Sequence, residues 1–166
     1  FYATLIGPIT EELVFRAAGL RALEKYGKVF AIVMTALAFG MFHANFDQLF
    51  FATIIGFGFG YLTFEYSIWW AIFYHIFNNL VLSQGLHYLG THVNMNVAEW
   101  VQILVFLGGT IAFTIVLILK RKAIFHYIQE NRPAPGVFQR SLYSFWFWVL
   151  VLGTTLMSLL PYIRGY

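Results

Sequence analysis

The chain contains no cysteine. That absence removes disulfides, thiolate zinc sites and a cysteine nucleophile together. Charge is nearly as scarce: 10% of the 166 residues are charged, against roughly 25% in soluble domains. No nucleic-acid motif is present, and for a chain this apolar the placement of the basic residues says more than the net charge of +3. What fills the sequence is hydrophobic, 60% of residues with a mean hydropathy of +0.73, where soluble domains have roughly 45–50%. This is the composition of an integral membrane protein. Nineteen Phe, ten Tyr and five Trp exceed what a small core needs, and many flank the hydrophobic runs, as interface-seeking aromatics do. Phe1 opens the chain inside an apolar run, with no initiator methionine and no basic n-region. The chain therefore reads as neither a signal peptide nor a natural start, but as an excised piece with upstream helices missing.

Six apolar stretches, about 1–23, 29–44, 46–64, 68–88, 97–119 and 141–163, are each close to the ~17–25 residues that span a bilayer. The expected fold is all-α, a polytopic transmembrane helical bundle of about six spans. Arg21, Lys25 and Lys28 surround the first connection, and Lys120, Arg121, Lys122, Arg132 and Arg140 fill the fifth; Arg16 lies within a helix and Arg164 at the end. Six alternating spans bring the first, third and fifth connections to one side, which the positive-inside rule makes cytoplasmic. The fifth, KRKAIFHYIQENRPAPGVFQR, reads as a basic cytoplasmic loop, a reading preferred to a dock for anionic lipid. In GFGFGY, Gly56 and Gly60 stand four apart, a spacing that suits close helix packing better than a phosphate-cradling loop.

The stretch GPITEELVFR interrupts the first apolar run with Glu11, Glu12 and Arg16. A charge near a bilayer centre costs at least ~2.5 kcal/mol and tends to be kept for a task. At helical spacing Arg16 meets Glu12, four residues earlier, while Glu11 points to another face. Desolvation of Glu11, outside that pair, suits a general base that takes a proton from water. Three charges locking helices together is the structural alternative. Pro8 after Gly7 predicts a kink or a start, with Thr10 capping freed amides.

Two further pairs share the four-residue spacing, Phe39 with His43 and His75 with Asn79. Histidine offers a donor or acceptor near neutral pH and asparagine an amide donor that does not ionise; hydrogen bonds between helices are the bland alternative. At ~1.5 Å per residue, Glu11 lies roughly 15 Å deep counted from Arg21 and His75 about 12 Å from Ser67. Counted from Lys28, His43 comes out about 22 Å deep, too far across unless its helix starts later or tilts. Ser67, Ser83, Ser141, Ser144 and Ser158 sit in no nucleophile elbow. Glu11, His43 and His75 could form an open zinc site, and His43 with Asp47 another ligand pair, but no short HExxH-type pair is present. His87, His92 and His126 are expected in solvated loops or ends.

EELVFR, FGMFH and HIFNN resemble, in order and spacing, the EExxxR, FxxxH and HxxxN motifs of the CAAX protease and bacteriocin-processing (Abi) family of intramembrane proteases, which includes the type II CAAX prenyl endopeptidases. The resemblance covers about 1–88, a protease core; 89–166 would add two transmembrane helices joined by the basic loop. It implies a multi-pass protein of a bacterial cell membrane in which Glu11 and His43 activate water, His75 and Asn79 stabilise the oxyanion, and Glu12, Arg16 and Phe39 support them. It also implies a peptide or membrane-protein substrate within the lipid bilayer, such as a prenylated CAAX tail or a bacteriocin or pheromone precursor. We expect no cofactor; in a metal-dependent variant zinc would sit on Glu11, His43 and His75. A glycine commonly follows the family's motif arginine, whereas here Ala17 and Ala18 precede Gly19. The competing readings are a non-catalytic membrane scaffold or bacteriocin self-immunity protein, and a proton-coupled transporter, which predicts a second EE-type element that the sequence lacks.

Overall fold

Helices carry almost the whole chain because a backbone in apolar surroundings must satisfy its own N–H and C=O groups. The computed structural model describes residues 2–164, without the side chains of Asp47, Ser83, Pro161, Tyr162 and Arg164. The expectations for Phe1, for Ser83, for the His43–Asp47 pair and for the Arg164 side chain lie outside the described residues. Among the described residues no strand occurs. The all-α expectation holds.

The chain divides into two units. The first comprises 1–10 and 72–130, the second 11–71 and 131–166.

In the second unit the first hydrophobic stretch does not keep one winding. After α1 (Gly7–Glu12) it opens into a π-helix at Leu13–Leu20, returns to α at Arg21–Leu23 (α2) and tightens to 3₁₀ at Glu24–Tyr26. Gly27 then turns the chain with φ 113°, in the region where only glycine sits without strain; a Cβ there would also lie 2.8 Å from Pro133 Cα. The return helix α3 (Lys28–Phe42) runs antiparallel to the first stretch. Two contacts fix the register. A Cβ on Gly19 would touch Thr35 at 3.5 Å, and the rings of Phe15 and Phe39 meet at 5.3 Å. These pairs stand eight and twelve residues from Gly27 on either side. Glu11 and His43, four residues further along each arm, are each sixteen residues from Gly27. Counted from that turn, Glu11 and His43 come out equally deep. The first stretch continues to Tyr26, so the count for Glu11 starts at Gly27 and not at Arg21.

Asn45 caps α4 (Phe46–Glu65), its Oδ1 accepting the Gln48 N–H at 3.2 Å. α4 packs on α3 through small residues. Ideal Cβ atoms on Gly40, Gly56 and Gly60 would stand 2.6 Å from Leu49 O, 3.0 Å from Ala36 Cα and 3.2 Å from Ile32. Gly56 and Gly60 therefore serve close packing, as the spacing predicts.

The turns at one end of this unit are tied together. Lys28 Nζ meets Glu65 at 2.9 Å, the Val29 N–H donates to Asn131 O at 3.2 Å and the Ala134 N–H donates to Tyr26 O at 3.3 Å. The first, third and fifth connections thus share one end, as the charge pattern requires.

The first unit holds the later part of α5 (Ile68–Asn78), a π segment at Asn79–Gly85, α6 (Leu86–His92) and α7 (Met95–Glu130). Thr10 does not cap freed amides. Its hydroxyl donates to the Ile6 and Gly7 carbonyls at 2.9 and 2.8 Å, the nearest acceptors to a helical hydroxyl in apolar surroundings. α7 is the one described helix long and apolar enough to cross a membrane, with a mean hydropathy of 2.4 over its best window and none of that window buried. Its 36 residues would extend ~54 Å, well past a ~30 Å hydrocarbon core. Half of the expected fifth loop is therefore helix: Lys120–Glu130 continues α7, because KRKAIFHYIQE is made largely of good helix formers. Only 131–136 is left as a connection before α8 (Val137–Leu142) and α9 (Phe145–Arg164), which belong to the second unit.

Candidate active site

Glu12 ends α1 and Arg16 lies in the π-wound segment that follows. Their side chains are fully buried, with Arg16 Nε 3.2 Å from Glu12 Oε2. The expected pair is present. The Arg16 Nη2 group donates to the Gly56 carbonyl at 3.3 Å. Around the guanidinium stand Phe39 at 4.4 Å, Phe59 at 5.4 Å and Phe15 at 5.9 Å. Rings present their negative faces to a cation, worth about 2 kcal/mol when the site is dry. Arg16 thus joins the first stretch to α3 and α4 at one level. Phe39 is the link between the first two motifs, because its ring covers Arg16 while its backbone carbonyl holds His43.

That carbonyl contact, 2.9 Å from His43 Nδ1, decides the tautomer. A carbonyl only accepts, so Nδ1 carries the proton, and in the neutral ring Nε2 is the acceptor. His43 ends α3, edge-on to Phe39 at 5.0 Å. The next residue, Ala44, has φ 46°, a left-handed conformation that an alanine adopts only where surrounding structure imposes it. Glu11, partly exposed, is as many residues from Gly27 as His43 is.

His75 and Asn79 belong to the other unit. His75 is buried in α5. Asn79 opens the π segment, donating from Nδ2 to the Ala3 carbonyl at 3.0 Å and accepting from Asn78 at 3.3 Å on Oδ1. Glu11 and His43 belong to the second unit, His75 and Asn79 to the first.

Several of the remaining candidates have local partners. Ser141 and Ser158 donate to Phe138 O and Thr154 O of their own helices at 2.7 and 2.9 Å. His87, His92 and His126 are exposed as expected, though on α6 and α7 and not in loops; His126 meets Glu130 at 3.1 Å. Among the described residues no three His, Asp or Glu side chains gather as a set of metal ligands.

Sequence reasoning missed the three-ring enclosure of Arg16 and the π-winding. Phe15 and Phe59 carry no polar signal, although Phe59 lies three after Gly56 in GFGFGY, on the same helix face. Nothing in LVFRAAGL announces the change of winding.

Comparison with known proteins places all three motifs in context. Residues 1–81, just under half of the chain, match the family described as Type II CAAX prenyl endopeptidase Rce1-like. The resemblance carried by EELVFR, FGMFH and HIFNN is therefore borne out over that segment. The chain is also 37% identical over 79 residues to YdiL of Bacillus subtilis (strain 168), a protein whose name assigns it provisionally to the membrane peptidases. That match covers 46% of this chain but spans only about a third of YdiL, 32% of its length. No solved structure matches the chain. These similarities mark the first half of the chain as peptidase-like and the protein as one of membranes.

Proposed function

We propose that the chain forms the core of a multi-pass intramembrane endopeptidase of about six spans. Glu11 takes a proton from a water that also hydrogen-bonds to His43 Nε2, and the hydroxide attacks the peptide carbonyl carbon. The C=O pair moves onto oxygen, where His75 and Asn79 donate to the oxyanion. Collapse breaks the C–N bond as the proton held by Glu11 passes to the leaving amine. Every atom of the water is accounted for without a metal. Glu12 and Arg16 hold the helix that carries Glu11, and Phe39 fixes both Arg16 and His43.

The observation that supports this reading is the hairpin about Gly27, from which Glu11 and His43 are each sixteen residues away, with His43 Nδ1 already engaged by Phe39 O. Connections tied at one end, and the length of α7, support the six-span topology. The substrate class that fits is a peptide or membrane protein reaching the site through the bilayer, a prenylated CAAX tail or a bacteriocin or pheromone precursor among them. A non-catalytic scaffold is favoured by one observation, the complete burial of Glu12 and Arg16, which would serve packing equally well. Peptide termini compared across cells carrying the wild-type protein and Glu11→Gln separate the two. Termini lost with Glu11→Gln mark cleavage and name substrates; an unchanged set of termini would support the scaffold.

A further inference from the structure

Beside Arg16, in the second unit, lies a cavity of about 420 Å³ lined by Arg16, Arg21, Thr63, Tyr66, Ser67 and Trp69 among others. No described carboxylate lines it. The two arginines stand five residues apart, the interval that i→i+5 winding places on one helix face. The π-helix at Leu13–Leu20 thus brings Arg21 to the same cavity as Arg16.

The hydrogen-bond donors of Arg16 are not all used. Its Nε meets Glu12 and its Nη2 meets the Gly56 carbonyl, but Nη1 is enclosed and has no hydrogen-bond partner. The rings around it offer faces and no lone pair in the plane of the guanidinium. A buried, charged N–H left in this state is destabilising. Arg21 is half exposed and engages Glu24 through Nη1 at 3.0 Å, which leaves most of its five donors for another ligand. Ser67 adds a hydroxyl and Trp69 an indole N–H.

We propose that this cavity binds a phosphate group, by donation from Arg16 and Arg21. Two planar guanidinium groups match the oxygens of a phosphate better than those of a neutral ligand. The cavity opens at the end where Lys28 meets Glu65 and where the basic connections gather, the side the charge bias assigns to the cytoplasm. Anionic phospholipid headgroups concentrate there, and Tyr66 and Trp69, 68% and 74% exposed, are the aromatics that settle at that depth. The test reads binding and needs no peptide substrate.

The full chain in a neutral detergent is titrated with dihexanoyl phosphatidylglycerol, with inorganic phosphate and with hexyl glucoside, and its Tm is followed. A ligand that binds the folded state raises Tm in a saturable way. We expect saturable protection by phosphatidylglycerol and none by hexyl glucoside. Arg21→Gln should weaken the midpoint about tenfold or more, the worth of a charge-assisted hydrogen bond, while Lys122→Gln, outside the cavity, should leave it unchanged. Protection by the lipid alone assigns the site to a headgroup. Protection by inorganic phosphate as well shows that a soluble phosphate also enters, and supports the same site. Ser67→Leu, which fills the cavity, provides a second variant and should abolish protection. Equal protection by hexyl glucoside, or midpoints that neither variant moves, would overturn the proposal.

Discussion

The ring of Phe39 lies 4.4 Å from the guanidinium carbon of Arg16, and this contact makes two sequence motifs one structural unit. Arg16 is fully buried with Glu12, so removing it strands a carboxylate. Arg16→Met should lower stability by about 3–5 kcal/mol. Arg16→Lys should recover little of that, because an ammonium lacks the planar fork that meets Glu12 and the Gly56 carbonyl together. Unfolding of the purified protein in detergent measures both, and wild-type stability in either variant would refute the role given to the pair.

Gly40 sits where α3 and α4 come closest. A Cβ there would meet the Leu49 carbonyl at 2.6 Å, whereas at Gly58 it would meet nothing within 4 Å. Gly40→Ala should therefore destabilise by about 1–3 kcal/mol or more, and Gly58→Ala should be near neutral. The two Tm values, read side by side, test the packing of α3 on α4.

Asn79 donates to the Ala3 carbonyl in the ground state, and the mechanism asks it to donate to an oxyanion during turnover. Asn79→Ala should lower kcat by about 10²–10³-fold and leave substrate binding within a few-fold. A fall in KM affinity with kcat unchanged would make it a structural residue only.

Water activation by Glu11 and His43 also predicts indifference to chelation. Purified enzyme dialysed exhaustively against EDTA should keep its rate, with metal content followed in the same samples. Activity that disappears with stoichiometric zinc and returns when zinc is restored would instead make Glu11, His43 and His75 ligands.

Much of this was legible because membrane segments announce themselves. The positions of the apolar helices followed from hydropathy, and the Glu12–Arg16 pair followed from spacing alone, since four residues on a helix bring side chains together. Gly56 and Gly60 were readable as a packing face for the same reason. What stayed hidden depended on geometry that residue types do not encode. The π-winding at Leu13–Leu20 changes which residues share a face, so the alignment of Arg16 with Arg21 has no signature at α-helical period. The count for Glu11 comes out too shallow because the basic residue Arg21 looks like a helix end, while the backbone turns at Gly27. Lys120–Glu130 resembled a loop through its charge, although those residues include good helix formers that extend a long apolar helix.

The central claim is that Glu11 is the base, and it is tested most directly by cleavage of an internally quenched peptide by full-length, membrane-reconstituted protein carrying Glu11→Gln. The substitution keeps the shape of the side chain and removes the proton acceptor. The account predicts no detectable turnover, with Tm and substrate binding at wild-type values; cleavage by Glu11→Gln at the wild-type rate would contradict it.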